Sequence, residues 1–309
     1  MGKVILIADS GTTKTDWSVV VDGSLVHSIN TKGMNPYFQT YEEIKEEIEN
    51  VLMPQLADIF QVDGNSRTGE SSQAGGVSID AIYFYGAGCI FDKVDIMREA
   101  ISSCINAPLI NIYSDLLAAA HSTCGGEAGI ACIMGTGSNS CFYDGRNIVK
   151  NVPSLGFILG DEGGGVALGR SLVSDVLKGI LPPYLINAFF ERFKLTQAEI
   201  LDNVYKRSFP NRFLASLSPF LSEHIEAPEI RAIACNSFIS FLTRNVKQYD
   251  CEKYVANFVG SIAYHYKDVL MEAAETVKVR VGKIIKSPMS GLITMHTKKS
   301  AKRKKHSTS

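Results

Sequence analysis

Residues 9–16 of the chain read Asp-Ser-Gly-Thr-Thr-Lys-Thr-Asp and lie between two short apolar segments. Hydroxyls, a lysine and a glycine crowd into one bend with an aspartate on either side. A bend of small residues exposes successive backbone N–H groups, and such a concavity binds anions. Gly11 would let a phosphate approach the backbone, while the hydroxyls of Thr12, Thr13 and Thr15 and the Lys14 ammonium add donors. Asp9, beside this bend, is placed to hold Mg²⁺ through water, because that ion keeps most of its waters and takes few carboxylates. A second bend, Gly135-Thr136-Gly137-Ser138, offers the same chemistry. Each alone also reads as a polar hairpin turn, since Gly, Ser and Thr are common in turns. Their recurrence favours anion binding. Asp115 ends a predicted strand ahead of "LLAAAHS". There it can accept a proton from an alcohol or cap the helix, and the sequence leaves both roles open.

The elements around these residues repeat. Lys3–Ala8 reads as a buried strand, Trp17–Val21 as a second, Asp22-Gly23 as a tight hairpin turn and Leu25–Asn30 as a third strand. Thr40 and Glu43 form a capping box for a helix with Ile44, Ile48, Val51 and Leu52 on one face, ending at Pro54. A strand over Asp80–Tyr85, a helix over Asp92–Ile105 and a strand over Leu109–Tyr113 follow. At Gly129 the order strand, Gly-rich turn, strand, Asp-Gly turn, strand begins again. Two copies of one unit suggest two similar α/β domains facing each other, with the two bends closing on a polyphosphate from either side. Residues 163–275 read as mostly helical, with a capping box at Thr196/Glu199 and breaks at Pro182-Pro183, Pro210 and Pro228. Val279–Ile285 alternates as a last strand, and 63–78 reads as a flexible surface loop.

Composition narrows the class. With 309 residues, 45% hydrophobic and 20% charged, the chain suits about two ordinary globular domains. No apolar run nears the roughly 20 residues that span a bilayer, and the first residues show no basic-then-apolar leader. Seven cysteines without C-x-x-C spacing argue against zinc, iron–sulfur clusters or a disulfide framework, and for a reducing cytoplasm. Residues 297–309 hold six cations and no acid, so the remainder carries −7 against −1 for the whole. That tail has no aromatic interleaving and no apolar face, so it reads as solvated and disordered rather than as a nucleic-acid or membrane surface.

"ADSGTTKTDW", "YSDLLAAAHS", "IMGTGSNS", "GDEGGG" and "FVGSIAYHY" occur in the order found in the superfamily of actin-like proteins, sugar kinases and heat-shock-chaperone ATPases. Within it the chain resembles the N-acetylglucosamine kinase branch, which is grouped with the activator ATPases of 2-hydroxyacyl-CoA dehydratases. The resemblance covers nearly all of residues 1–296. It implies two similar actin-like (ribonuclease-H-like) α/β domains around a central cleft, the second richer in helix. The boundaries would be 1–117 and 118–286, with a helix at about 287–297 returning to the first domain and a basic disordered tail at 298–309. ATP and Mg²⁺ would be the cofactors and an amino sugar the acceptor, without membrane or nucleic acid; the oligomeric state stays open, a homodimer included. Carried over by position, Asp9 would order the metal, Gly11, Thr12, Thr13 and Lys14 would line the phosphates, and Asp115 would be the general base. Gly135, Thr136 and Gly137 would form the second phosphate grip, and Gly260 and Ser261 would pass beneath the adenosine. Asn35, in "GMNPYF", and Asp161, in "GDEGGG", would hold the sugar; Asn35 also reads as a turn residue before Pro36. "SLGFIL" stands where the family has an aromatic-rich stretch, and the cysteine signatures of the repressor-type sugar kinases and dehydratase activators are absent. The expected function is a cytoplasmic kinase acting on the 6-hydroxyl of N-acetylglucosamine. The alternatives are an ATPase driving a protein partner and a non-catalytic sugar sensor.

Overall fold

The apolar run at the N-terminus forms strand β1 (Val4–Ser10), buried at every residue except Asp9, which is half-buried. It is followed by β2 (Lys14–Val21), β3 (Ser24–Lys32), β4 (Ala81–Gly86) and β5 (Ile110–Ser114) in one sheet of order β3-β2-β1-β4-β5. Asp22 and Gly23 both have positive φ, 50° and 88°, as the tight turn joining β2 to β3 requires. In this computed structural model the described residues are 2–11, 13–62 and 78–305, with 61–62 and 298–305 described by backbone alone. Thr12, the expected loop up to residue 77 and residues 306–309 lie outside them.

The second sheet holds β6 (Gly129–Met134), β7 (Ser138–Tyr143), β8 (Ile148–Val152), β9 (Ala256–Val259) and β10 (Val281–Ile285). Its order is β8-β7-β6-β9-β10, so both sheets share one topology. In each, three strands run as an antiparallel meander and two more lie parallel to the first. The α/β class and the repeated unit expected from sequence are therefore observed. The chain divides into one unit of Met1–Gly125 with Pro288–Ser309 and another of Gly126–Ser287.

Both faces of the first sheet are covered, which explains why β1 is apolar throughout. Val4, Leu6, Ala8, Trp17 and Phe84 pack beneath helices 41–62 and 93–104, contributed by residues such as Ile44, Leu52 and Met97. Ile5, Ile7 and Tyr85 face Ala118 and Leu292, from helices Asp115–Thr123 and Met289–Lys305. These two helices come so close that a Cβ at Gly291 would sit 2.5 Å from Ser122 O. The core of the second unit is larger and helical, with Phe189, Phe220, Phe238 and Phe241 fully buried.

Three local expectations differ from the structure. Pro54 does not end the first helix: the chain passes through a π-turn at Ile48–Leu52 into a helix over Met53–Val62. The wider i→i+5 turn lets the ladder continue past a residue without an N–H. β9 was not anticipated, because four residues, Ala-Asn-Phe-Val, are too few to show a period. The basic tail was expected to be disordered from 298, but the backbone stays helical to Lys305, continuing the helix that starts at Met289. Lysine and arginine are good helix formers once a nucleus exists. Among the described residues no helix is long and apolar enough to cross a membrane.

Candidate functional site

In the parallel half of the first sheet the register aligns Ser10 with Gly86 and Gly86 with Ser114, so β1, β4 and β5 end together. Ligands of open α/β sheets bind beyond such carboxyl ends. Asp9 is the penultimate residue of β1, and Asp115 opens the helix directly after β5. Two strand spacings, roughly 10 Å, separate β1 from β5. The alternative of Asp115 as helix cap resolves against it. Ser114 is the cap, its Oγ accepting the Leu117 N–H at 3.3 Å. The Asp115 carboxylate accepts the adjacent Leu116 N–H, at 2.8 Å, and its own backbone N–H. Burial raises the Asp115 carboxyl above the usual range, with the Leu116 N–H opposing. Asp9 is pushed up to about 7, first by burial and then by the charges of Asp115 and Asp16, with Lys14 opposing. Two carboxylates thus bear on Asp9 at the end of β1.

The bend after β1 is knitted to the "GMNPYF" loop. Gly33 N–H donates to Thr13 O at 3.0 Å, and Thr15 Oγ1 donates to Lys32 O at 3.0 Å. Thr15 is fully buried, so it is not the phosphate donor its place in the bend suggested. Lys14 lies within 2.8 Å of Asp16 as an exposed ion pair, which contributes little to stability. Asn35 is buried and its Oδ1 accepts the Tyr37 N–H at 2.9 Å, the turn role that its place before Pro36 suggested. That leaves the Nδ2 group as the end of this amide with no such duty in the turn. Gly88, φ +78°, lies against it, since a Cβ there would fall 2.2 Å from Asn35 Oδ1. The neighbouring Cys89 thiol is pushed up to about 12 by burial and by Asp115. The loop 86–89 therefore lies between Asn35 and Asp115. The sequence reading passed over it, although Gly-Ala-Gly directly after a strand was the available signal.

In the second unit Ile133, Val259 and Ile285 align across β6, β9 and β10, so Gly135 and Gly260 both follow carboxyl ends. Gly260 has φ +128°, and a Cβ there would meet Met134 O at 2.2 Å; Ser261, exposed, begins the helix to His265. The 135–138 bend is braced by the "GDEGGG" loop and the helix Gly165–Leu177 that follows it. Gly165 and Val166 N–H donate to Gly135 O and Thr136 O at 2.8 and 2.9 Å. Asp161, with φ 56°, accepts the Ser138 N–H at 3.0 Å, and Ser138 Oγ donates to Glu162 O at 2.7 Å. Burial raises the Asp161 carboxyl, with the Ser138 N–H opposing. Glu162 in turn pairs with Arg244 at 2.9 Å, and Gly163 N–H donates to Ser237 Oγ at 3.1 Å. Glu162 and Ser237 were not singled out from sequence, because their roles depend on long-range packing, and Ser138, read as part of the bend, proves to brace it rather than only to line it.

The glycines separate into two kinds. A Cβ on Gly137 would lie 2.5 Å from Asp161 Oδ1 and displace the carboxylate that holds the Ser138 N–H, whereas at 260 a positive φ and the Met134 backbone carbonyl require glycine outright. At Gly135 a Cβ would meet nothing within 4 Å among the described residues, and at Gly11 only Lys14 O at 3.8 Å. Neither Gly11 nor Gly135 has positive φ. Their small size serves no packing need of the chain, which fits a backbone left bare for a ligand. Among the described residues no group of three or more His, Cys, Asp or Glu side chains could hold a metal, and none of the cysteines is in a disulfide. Mg²⁺ needs no such cage, because one or two carboxylates and water suffice. The burial of Asp9, with the charges of Asp115 and Asp16 beside it, leaves a carboxylate that a cation there would favour.

Comparison with known proteins agrees with this arrangement. No family model matches the chain, and no curated protein matches it. Among solved structures, a "putative N-acetylglucosamine kinase" from Porphyromonas gingivalis is 41% identical, with a TM-score of 0.86, over 95% of this chain and 99% of that one. A second, from Chromobacterium violaceum, is 18% identical with a TM-score of 0.72, over 95% and 98% of the two chains, and shares the fold. On the first of these similarities, the chain belongs to the N-acetylglucosamine kinase family.

Proposed function

We propose that this protein is a kinase that transfers the γ-phosphoryl group of ATP to an amino sugar, with N-acetylglucosamine and its 6-hydroxyl as the first choice. The observation that carries this reading is Asp115. Its carboxylate is relieved of helix capping by Ser114, lies at the strand-end edge shared with Asp9, and is raised above the usual carboxylate range by burial, the direction that favours a base. The name of the 41% identical relative points to the same chemistry.

In this mechanism Asp115 accepts the proton of the attacking hydroxyl. Backbone N–H groups at Thr12, Thr13, Thr136 and Gly137 take the nucleotide's phosphates, helped by Lys14, while Gly11 and Gly135, whose own N–H groups close the bends onto Lys14 O and Gly137 O, let the phosphates approach the backbone. Gly260 and Ser261 take the adenosine, and Asn35 and Asp161 orient the acceptor. Asp9 would hold Mg²⁺, which when bound neutralises charge on the phosphates. The test is a panel of amino sugars incubated with the protein and MgATP, with the product position read by NMR. Phosphorylation of a hexosamine is the expected result. ADP release that no sugar stimulates would instead favour an ATPase serving a protein partner, and no turnover at all a sugar sensor.

A further inference from the structure

β2 and β7 are the second strands of their sheets, and each places a buried hydroxyl, at its second and first residue respectively, opposite the last residue of the first strand. Thr15, fully buried, pairs with Ser10 at the end of β1; Ser138, 4% exposed, pairs with Met134 at the end of β6. Thr15 Oγ1 donates to Lys32 O at 3.0 Å and lies 2.7 Å from Ser10 Oγ. Ser10 Oγ accepts the Met34 N–H at 3.0 Å, so the pair grips the chain just before Asn35. Ser138 Oγ donates to Glu162 O at 2.7 Å, just after Asp161, whose Oδ1 holds the Ser138 N–H. In both units, then, one hydroxyl fastens the strand leaving a phosphate bend to a loop bearing a candidate acceptor residue. Burial keeps both hydroxyls from touching a ligand themselves.

We infer that Thr15 and Ser138 are equivalent positioning residues, one in each unit, that couple nucleotide binding at the bend to the setting of the acceptor loop. The inference rests on the assignment of bends and loops under the proposed function. A hydroxyl that only satisfied a buried carbonyl would stabilise the fold and do nothing more. A coupling hydroxyl also makes the loop respond to nucleotide, because close-packed interiors pass displacements from one segment to the next. By reciprocity, nucleotide and acceptor then raise each other's affinity by one factor, on the order of fivefold or more.

The experiment is amide hydrogen exchange on wild type, Thr15→Val, Thr15→Ser and Ser138→Ala, each with and without Mg²⁺ and a non-hydrolysable ATP analogue. In wild type the analogue should slow exchange at both 31–35 and 161–165. Thr15→Val should lose the response at 31–35 alone, Thr15→Ser should keep it, and Ser138→Ala should lose the response at 161–165 alone. Thr15→Ala replaces Thr15→Val if the latter fails to fold. N-acetylglucosamine affinity, measured with and without the analogue, should show the coupling factor fall toward one in Thr15→Val and recover in Thr15→Ser. Equal loop protection in all variants, or no loop response in a wild type that binds the analogue, overturns the coupling while leaving the kinase reading intact. An analogue that does not bind wild type at all overturns the nucleotide assignment itself and this inference with it.

Discussion

The bend after β1 carries charge on its own residues, Asp9, Lys14 and Asp16, whereas the bend after β6 carries none and borrows a carboxylate, Asp161, from a loop more than twenty residues away. The two occupy equivalent places in one sheet topology. The first closes after Ser10 pairs with Thr15, the second after Met134 pairs with Ser138, one residue shorter. The shorter bend is braced from outside, by Gly165 and Val166 N–H groups on its carbonyls. The longer one takes one such bond, from Gly33 N–H to Thr13 O, and is tied further by the hydroxyls of Ser10 and Thr15. A duplicated fold thus fixes where a bend stands, while the chemistry at each is set locally. The first unit gathers carboxylates suited to a cation and a base. The second gathers backbone donors.

The division of labour breaks most visibly at Asp115. Replacing it by Asn keeps the side chain's shape and its acceptor oxygen for Leu116 N–H, and removes the base. Turnover of an amino sugar should fall by roughly 10²–10⁴, the usual worth of general-base assistance. Nucleotide affinity, assigned to the bends, should stay within about twofold, within the usual scatter of a conservative change. Steady-state kinetics with a binding titration checks both. Near-normal turnover would remove Asp115 from the chemistry and leave the first unit's carboxylates without a catalytic role.

Gly135 and Gly137 sharpen the comparison within the second bend. Gly135→Ala places a methyl into open space, so the melting temperature should hold while nucleotide affinity drops on the order of tenfold, about 1.4 kcal/mol. Gly137→Ala drives a methyl onto Asp161, so the protein should lose stability, about 1–3 kcal/mol as for other overpacked sites. Thermal unfolding beside calorimetric titration separates the two. If both variants behaved alike, bare backbone at Gly135 would have no bearing on ligand binding.

Much of this was legible in the chain. The capping boxes at Thr40 and Thr196, the Asp22-Gly23 turn and the helix breaks at Pro182-Pro183, Pro210 and Pro228 are local signals, and local structure follows them, a new helix opening at Pro183, Pro210 and Pro228. The repeat was readable because both meanders are contiguous in sequence. β9 was not, since four buried residues between helices have no period and gain their strand character only by pairing with β6 and β10. At the site, types and order marked Asp9, Asp115 and the glycines, but sequence could not say which hydroxyls point outward. Thr15 looked like a phosphate donor and is instead buried against Lys32 O. The 114–115 pair shows the same limit: either residue can cap a helix, and only the backbone decides that Ser114 does.

The smallest expected effect concerns the charge balance of the first bend. Burial, Asp115 and Asp16 raise the Asp9 carboxyl to about 7 from an ordinary value near 4. A carboxyl raised in the folded state costs stability when it ionises. In the cation-free protein Asp9 should therefore cost nothing below about pH 4, an increasing amount as pH rises, and its full amount above about 7. Asp9→Asn removes that ionisation, so its melting temperature should fall less steeply across this window, with wild type a few degrees lower at the alkaline end. Mg²⁺ should raise the wild-type melting temperature chiefly above pH 7 and leave Asp9→Asn nearly unmoved. The second bend has no carboxylate of its own, so Asp161→Asn should leave the Mg²⁺ response of wild type in place. An equal Mg²⁺ response in wild type and Asp9→Asn would place the cation elsewhere, and the contrast between a charged and a neutral bend would then describe folding rather than function.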